Sequence, residues 1–221
     1  LPVGPYPMIH YALDKMADAG IRDVVLVIGK PSAGLYTEYI GSGKAWGLQV
    51  SYTIQEEAGG IAQALGLARP LVNPGEKLMV LLGDNLFEDS LKEAAEAFER
   101  SDQGAHVFLK QVNDPRRYGV PEIVNGRIVR ILEKPERPPS AYAVTGIYFY
   151  GPDVFDRIRT LRPSDRGSWR LPMSIIIMPP KEGSATACCP AGGPMRGPGV
   201  RCWRPGSSRW GAGTHDGDAM R

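Results

Sequence analysis

The chain has 221 residues, 43% of them hydrophobic and 23% charged, with a formal charge of +2 at pH 7. Residues 1–167 carry 19 Lys and Arg against 21 Asp and Glu, whereas residues 168–221 carry 7 against 3. The basic excess therefore belongs to the last stretch and implies no nucleic-acid or membrane partner, and no apolar run approaches the ~20 residues that span a bilayer.

Apolar residues at Ile9, Leu13, Met16 and Ala17 predict a helix over Pro7 to Ala19, closed by Gly20. Asp23 to Gly29 is a continuous β-branched run, the pattern of a strand buried on both faces. A short helix is expected at Leu35 to Ile40, an alternating strand at Leu48 to Ile54, and a helix at Gly60 to Ala68 behind a Gly-Gly pair. Leu78 to Leu82 is a second buried run, ending in Gly83-Asp84-Asn85, and Leu91 to Arg100 is an acidic amphipathic helix. Strands then follow at Val107–Val112, Gly119–Val124, Arg127–Glu133 and Ala143–Tyr150, the middle two joined by the hairpin signal Asn125-Gly126. A helix over Val154 to Leu161 closes the series.

Strand–helix alternation followed by a hairpin-rich half implies a Rossmann-like α/β fold. It has a mostly parallel mixed sheet, flanking helices and an antiparallel addition. One such domain fits within residues 1–167. Beyond Gly167 the pattern stops: residues 168–221 hold all three cysteines, 9 of the 27 Gly and 7 of the 20 Pro, with no period. The lack of Cys before that point fits a reducing cytoplasm. Leu1-Pro2-Val3 has neither the basic flank of a signal peptide nor an initiator Met, so the chain is expected to be cut at its front.

In α/β sheets, ligands bind beyond the carboxyl ends of the strands, which directs attention to Gln55 and Asp84. A carboxylate at a strand end suits a hard cation that keeps its other positions for phosphates and water. An Asx turn or a helix cap before Leu86 is the structural alternative. The Gly59-Gly60 pair before a helix offers free N–H groups to a phosphate, or simply makes a turn. Pro135 is expected to hold Lys134 extended at the end of its strand, aiming an ammonium across the site or leaving it solvated. Tyr118-Gly119 and Tyr142-Ala143-Val144-Thr145-Gly146 allow close backbone approach to whatever lies over the sheet, although β packing also explains the tyrosines. His10 and His106 are isolated and read as structural, and no Ser–His arrangement or Cys/His metal site can be assembled.

Taken in order, five motifs do more than any one alone. They are Gln55 followed by Gly60-Ile61-Ala62-Gln63-Ala64, then Leu82-Gly83-Asp84-Asn85, then Asp114-Pro115-Arg116-Arg117-Tyr118-Gly119-Val120, then Glu133-Lys134-Pro135, and finally Tyr142 through Tyr150. This series resembles the sugar-1-phosphate nucleotidyltransferases, and among them the glucose-1-phosphate thymidylyltransferases, along residues 1–167. The resemblance implies the nucleotide-diphospho-sugar transferase fold and a Mg²⁺-dependent transfer from dTTP to glucose 1-phosphate, giving dTDP-glucose and pyrophosphate. It implies Asp84 as metal ligand, Gln55 and Gly60 at the thymine, and Lys134 and Arg166 on the sugar phosphate. Glu133, Tyr118, Gly119 and Val144 would line the sugar pocket. A cytoplasmic homo-oligomer without nucleic-acid or membrane partners is also implied for the full-length enzyme. The alternatives are an enzyme using UTP or another nucleotide or hexose phosphate, and a homologue that binds sugar nucleotides without chemistry.

The family's opening loop, GGxGTRL, its following Lys and the strand that carries them do not occur in these residues, and Tyr6 stands where a Lys precedes Pro-Met-Ile. The domain over residues 1–167 is therefore expected to lack its first strand and phosphate loop. The tail follows from the genetic code. Codons for the family's continuation ELEITDV, entered one base late, read Ser168-Trp169-Arg170-Leu171-Pro172-Met173-Ser174. By the same offset Gly192-Gly193-Pro194-Met195-Arg196-Gly197-Pro198 reads back as WWTDAGT, whose Asp is the second metal ligand. Residues 168–221 are thus expected to be out of frame and disordered, the chain as written inactive or nearly so, and its cysteines without chemical meaning. A natural Gly/Pro-rich tail is the competing explanation.

Overall fold

The computed structural model describes residues 2–125 and 127–160. Gly126, Arg166, Cys188, Cys189, Cys202 and the expectations for residues 168–221 lie outside the described residues.

The chain opens with a short antiparallel bridge, β1 (Pro2–Val3) with β2 (Tyr6–Pro7), which the sequence reading did not anticipate. Helix α1 (Met8–Asp18) starts directly after Pro7 and buries Ala12 and Leu13. Its end is a Schellman motif: Gly20, at φ 84°, donates its N–H to Ala17 O at 3.0 Å, and Ile21 donates to Met16 O at 3.1 Å. Strands β3 (Asp23–Gly29) and β4 (Gln49–Gln55) pair in parallel from Asp23↔Gln49 to Gly29↔Gln55, with α2 (Ala33–Ile40) in the crossover. Helix α3 (Ile61–Ala68) leads to β5 (Leu78–Leu81), then α4 (Lys92–Glu99) and β6 (Ala105–Gln111). The hairpin β7 (Gly119–Val124) and β8 (Arg127–Glu133) precedes β9 (Tyr142–Tyr150) and α5 (Val154–Arg159). Among the described residues no helix is long and apolar enough to cross a membrane.

Strand β9 lies between β5 and β6 and is antiparallel to both, so β5 and β6 run the same way. The antiparallel half of the chain therefore enters the sheet itself as well as forming the hairpin. The largest core cluster packs α3 (Ala62, Leu65), α5 (Ile158) and β8 (Ile128, Ile131) over Tyr148 and Tyr150 of β9. A second joins Leu13 of α1 to Val24 of β3, with Ile40 and Leu48. A third holds Ala19, Leu91 and Ile147, with Met79 and Leu81 of β5 packed against them.

Two expectations need correction. Neither β3 nor β5 is buried along its length. In β3 only Val24 and Ile28 are buried, and in β5 all four residues are half-buried. The physical reason is pairing. Each strand is hydrogen-bonded along one edge only among the described residues, and an apolar strand is sheltered on all sides only inside a sheet.

Candidate active site

Asp84 sits in the turn that follows β5 and is exposed. It caps no helix, since the next one begins at Lys92. The turn closes through the Asn85 N–H, which donates to Leu82 O at 3.1 Å. The Asn85 side chain then does three things: it donates to Asp84 Oδ1 at 3.1 Å and to Leu82 O at 3.4 Å, and it accepts the Gly146 N–H at 3.2 Å. Leu82 also donates its N–H to Gly146 O at 2.9 Å. The carboxylate is thereby tied to β9 through Asn85, sixty-one residues before Gly146, and a side chain at Gly146 would meet Asn85 and Leu82. Asp84 Oδ2 accepts no hydrogen bond among the described residues, so it faces solvent as a hard oxygen donor. Among the described residues no group of three or more His, Cys, Asp or Glu could hold a metal. A cation here would thus rest on one carboxylate and on ligand and water oxygens, a donor set that suits a small hard divalent ion.

Gln55 closes β4. Its amide donates to Gln63 Oε1 at 2.6 Å and to Gly60 O at 3.3 Å, tying the strand end to the first turn of α3. Gly60, at φ 91° and ψ 177°, caps that helix in a conformation few side chains accept. Gln55, Gly60 and Gln63 form one polar edge with orientable amide groups, the kind of group that reads the rim of a base.

The hairpin brings the second cluster. Gly119 pairs with Glu133 across β7 and β8. A Cβ at Gly119 would lie 3.3 Å from Ile131 Cγ2, 3.5 Å from Glu133 Oε2 and 3.8 Å from Val144 Cβ. Three predicted pocket residues on three strands thus come together around a bare backbone position. Tyr118, 46% exposed, stands beside them at the end of a 3₁₀ turn. Asp114 braces that turn by accepting the Arg116 N–H at 3.2 Å and pairing with its guanidinium at 2.8 Å, contacts that hold the Asp114 carboxyl below its ordinary range.

Lys134 departs from expectation. It is exposed and lies at φ 47°, in the left-handed region, not extended. Its N–H still donates to Tyr118 O at 2.9 Å, completing the ladder, and the chain must then turn away at once. Pro135 bars the right-handed helical region to the residue before it, and the left-handed one makes the turn. This costs ~1–2 kcal/mol for a residue with a Cβ.

The carboxylates of Asp84 and Glu133 both bear on Tyr148. This β9 residue is buried opposite Val80 and Val107. Burial, then Glu133, then Asp84 push its phenol up to about 12. Through Asn85 on Gly146 and Gly119 beside Val144, the turn after β5 and the end of the hairpin meet the same strand, β9. The sequence reading singled out neither Asn85, Gln63 nor Tyr148 as functional, although each lies inside a motif it quoted. His10 stacks on Tyr6 at 4.0 Å and bonds Tyr39 Oη at 2.9 Å, and His106 packs on Phe108 and Phe149. Both make packing contacts within the fold, and His10 is not isolated but lies among Tyr6, Tyr11, Tyr39 and Trp46.

Residues 1–176 match the nucleotidyl transferase family. The chain is 41% identical over 169 residues to a glucose-1-phosphate thymidylyltransferase of Xanthomonas campestris pv. campestris, covering 76% of this chain and 57% of that protein. It is 38% identical over 168 residues to the enzyme of the same name from an Actinoplanes species, covering 76% and 55%. The chain thus spans little more than half the length of these relatives. Among solved structures it resembles a Bacillus anthracis protein assigned as a glucose-1-phosphate thymidylyltransferase and crystallised with sucrose. That match has a TM-score of 0.71 at 46% identity and covers 76% of this chain and 68% of that one. A UDP-glucose pyrophosphorylase bound to UDP-glucose shares the fold, with a TM-score of 0.67 at 23% identity over 80% and 75% of the two chains.

Proposed function

The chain belongs to the nucleotidyl transferase family, and on that premise we propose that it carries the sugar-nucleotide pocket of a glucose-1-phosphate thymidylyltransferase. The observation that carries this reading is the convergence of Gly119, Glu133 and Val144 at one point, with Asp84 tied through Asn85 to Gly146 on the same strand as Val144. A pocket so built takes a polyol against backbone and carboxylate on one side and a phosphate on the other.

In the reaction proposed, an oxygen of glucose 1-phosphate forms a bond to the α-phosphorus of dTTP while the bond from that phosphorus to the pyrophosphate oxygen breaks. No covalent enzyme intermediate forms, so positioning and charge neutralisation supply the catalysis. Glu133 and the Gly119 backbone hold the sugar hydroxyls, and the Lys134 ammonium binds the sugar phosphate, a role the resemblance also gives to Arg166. Gln55 and the Gly60 backbone meet the thymine edge. Mg²⁺ held by Asp84 would supply further neutralisation of the phosphate oxygens.

The test is a calorimetric titration of the chain with dTDP-glucose and with UDP-glucose in Mg²⁺. Saturable binding that favours the thymidine compound, weakened tenfold or more by Glu133→Gln, is the expected result. Preference for UDP-glucose would replace the assignment with a UTP-using enzyme, and absence of binding to either would remove it. Pyrophosphate release from dTTP and glucose 1-phosphate by this chain would show that the phosphate loop is dispensable.

A further inference from the structure

Gln55 stands at the carboxyl end of β4, opposite Gly29 of β3, and its amide is held in one orientation. Both Nε2 protons are used: one goes to Gly60 O at 3.3 Å and the other to Gln63 Oε1 at 2.6 Å. A backbone carbonyl can only accept, so the Gly60 contact decides which end of the amide faces it. Turning the amide over would set Gln55 Oε1 against the Gly60 oxygen. With Nε2 so committed, Gln63 must present its own oxygen, and the shorter bond holds the arrangement. Gln55 Oε1 accepts no hydrogen bond among the described residues. The side chain therefore offers an acceptor and no donor.

Gly59 leaves room for this. It is buried, and its φ lies outside the left-handed region, so its backbone does not call for glycine. The space beside it does. A Cβ at Gly59 would lie 2.2 Å from Gln63 Oε1, 2.3 Å from Gln63 Cδ and 2.6 Å from Gln63 Nε2. The Gln63 amide thus lies across the bare face of Gly59 on its way from α3 to β4. The two glycines of the pair have separate reasons: Gly60 for its φ of 91° at the head of α3, Gly59 for the passage of a side chain.

We propose that Gln63 is a positioning residue for base recognition, holding the Gln55 amide with its oxygen free so that the site takes a pyrimidine with an N–H between two carbonyls and rejects an amino pyrimidine. The inference rests on the thymine contact given to Gln55 in the proposed function, and it assigns the polarity of that contact to a residue that need not touch the base. Thymine and uracil carry a proton on N3, whereas cytosine carries a lone pair there. A fixed acceptor favours the first and opposes the second, as a site built around one hydrogen bond rejects the analogue that cannot make it. An amide free to turn would suit either base. The preference therefore measures how firmly Gln55 is held.

The probes are dTDP-glucose and its 5-methylcytosine counterpart, equal in charge and nearly equal in size, which differ only along this edge. In calorimetric titrations with Mg²⁺, the 221-residue chain is expected to prefer the thymine compound. Gln63→Leu should narrow that preference about tenfold, the scale of one net hydrogen bond, chiefly by tightening the 5-methylcytosine compound. Gly59→Ala, whose methyl displaces the Gln63 amide, should narrow it likewise. Gln63→Glu, which can only accept from Gln55, should keep it. A merely structural Gln63 would weaken both ligands by the same factor, and an unchanged preference in Gln63→Leu would overturn the proposal. Equal narrowing by Gln63→Glu and Gln63→Leu would do the same.

A second measurement needs no ligand. Exchange of the Gln55 side-chain NH₂ protons, followed by NMR, should be about tenfold faster in Gln63→Leu and Gly59→Ala than in the unaltered chain and Gln63→Glu. Equal rates in all four would refute the positioning role. If the unaltered chain bound neither nucleotide sugar, the proposed function would fall and take the base preference with it. The exchange rates would still decide whether Gln63 holds Gln55.

Discussion

Strands β5 and β9 are both expected from sequence, β5 as a buried apolar run and β9 simply as a strand, yet they end in different environments. β9 has a hydrogen-bonded neighbour on each side and is buried without interruption from Gly146 to Tyr150. β5 has one neighbour, and each of its four residues is half-buried. Composition therefore states what a strand can tolerate, and the number of paired edges and covered faces decides what it receives. The same contrast separates the two halves of the site. Tyr148 and Gly146 lie on β9, while the turn bearing Asp84 leaves the half-covered β5 and is steadied by Asn85 reaching back to β9.

The largest effect that could break this comparison is a pair of truncations. Phe149 is 2% exposed and contacts the rings of Phe98, His106 and Phe108. Phe149→Ala should cost ~3–5 kcal/mol by lost transfer energy and a cavity. Leu81→Ala on β5 should cost about half as much, because its side chain already meets water. Urea denaturation of both variants, followed by circular dichroism, measures the ratio. Equal losses would mean that β5 is as well covered as β9.

A smaller effect uses pH. The Tyr148 phenol is raised from 10.0 to about 12, by burial first and then by Glu133 and Asp84. Its folded value lies above its unfolded one, so the protonated phenol contributes stability that is fully present below pH 10. That stability is lost as pH rises through 12, about 1.4 kcal/mol for each unit of separation. Stability in EDTA, where no cation shields Asp84, should therefore fall between pH 10 and 12. Tyr148→Phe should flatten part of that slope, leaving the share due to the neighbouring Tyr150, whose phenol burial also raises. An unchanged slope in the variant would place Tyr148 in water.

Much of this was legible in the chain, and for local reasons. The limits of β3, β7 and β8 agree with the sequence reading because Gly, Asn and the charged flanks punctuate them. So does the Gly20 stop of α1, where a single φ of 84° permits the Schellman bonds. What was not legible is what depends on distant partners. Nothing near Asn85 announces that its amide will reach Gly146, and nothing near Gln55 announces Gln63 on the next helix. The half-burial of β3 and β5 is not local either, since it depends on how many edges of each strand are paired.

The smallest stability effect concerns Lys134, where local and distant demands meet. The ladder needs its N–H on Tyr118 O, and Pro135 bars the right-handed helical region, so the residue accepts φ 47°. Glycine takes that conformation without the side-chain penalty but loses more backbone entropy, ~0.5–1 kcal/mol. Lys134→Gly should therefore stabilise the chain slightly, by about 0.5 kcal/mol, readable as a small rise in the urea midpoint. If the ammonium faces the sugar phosphate, the same variant should bind dTDP-glucose at least about tenfold more weakly, the scale of one lost charge-assisted hydrogen bond. Gain in stability with loss of affinity would identify the left-handed lysine as strain kept for binding. A gain with affinity intact would reduce it to a turn residue, and the pocket would then rest on Gly119, Glu133 and Val144 without it.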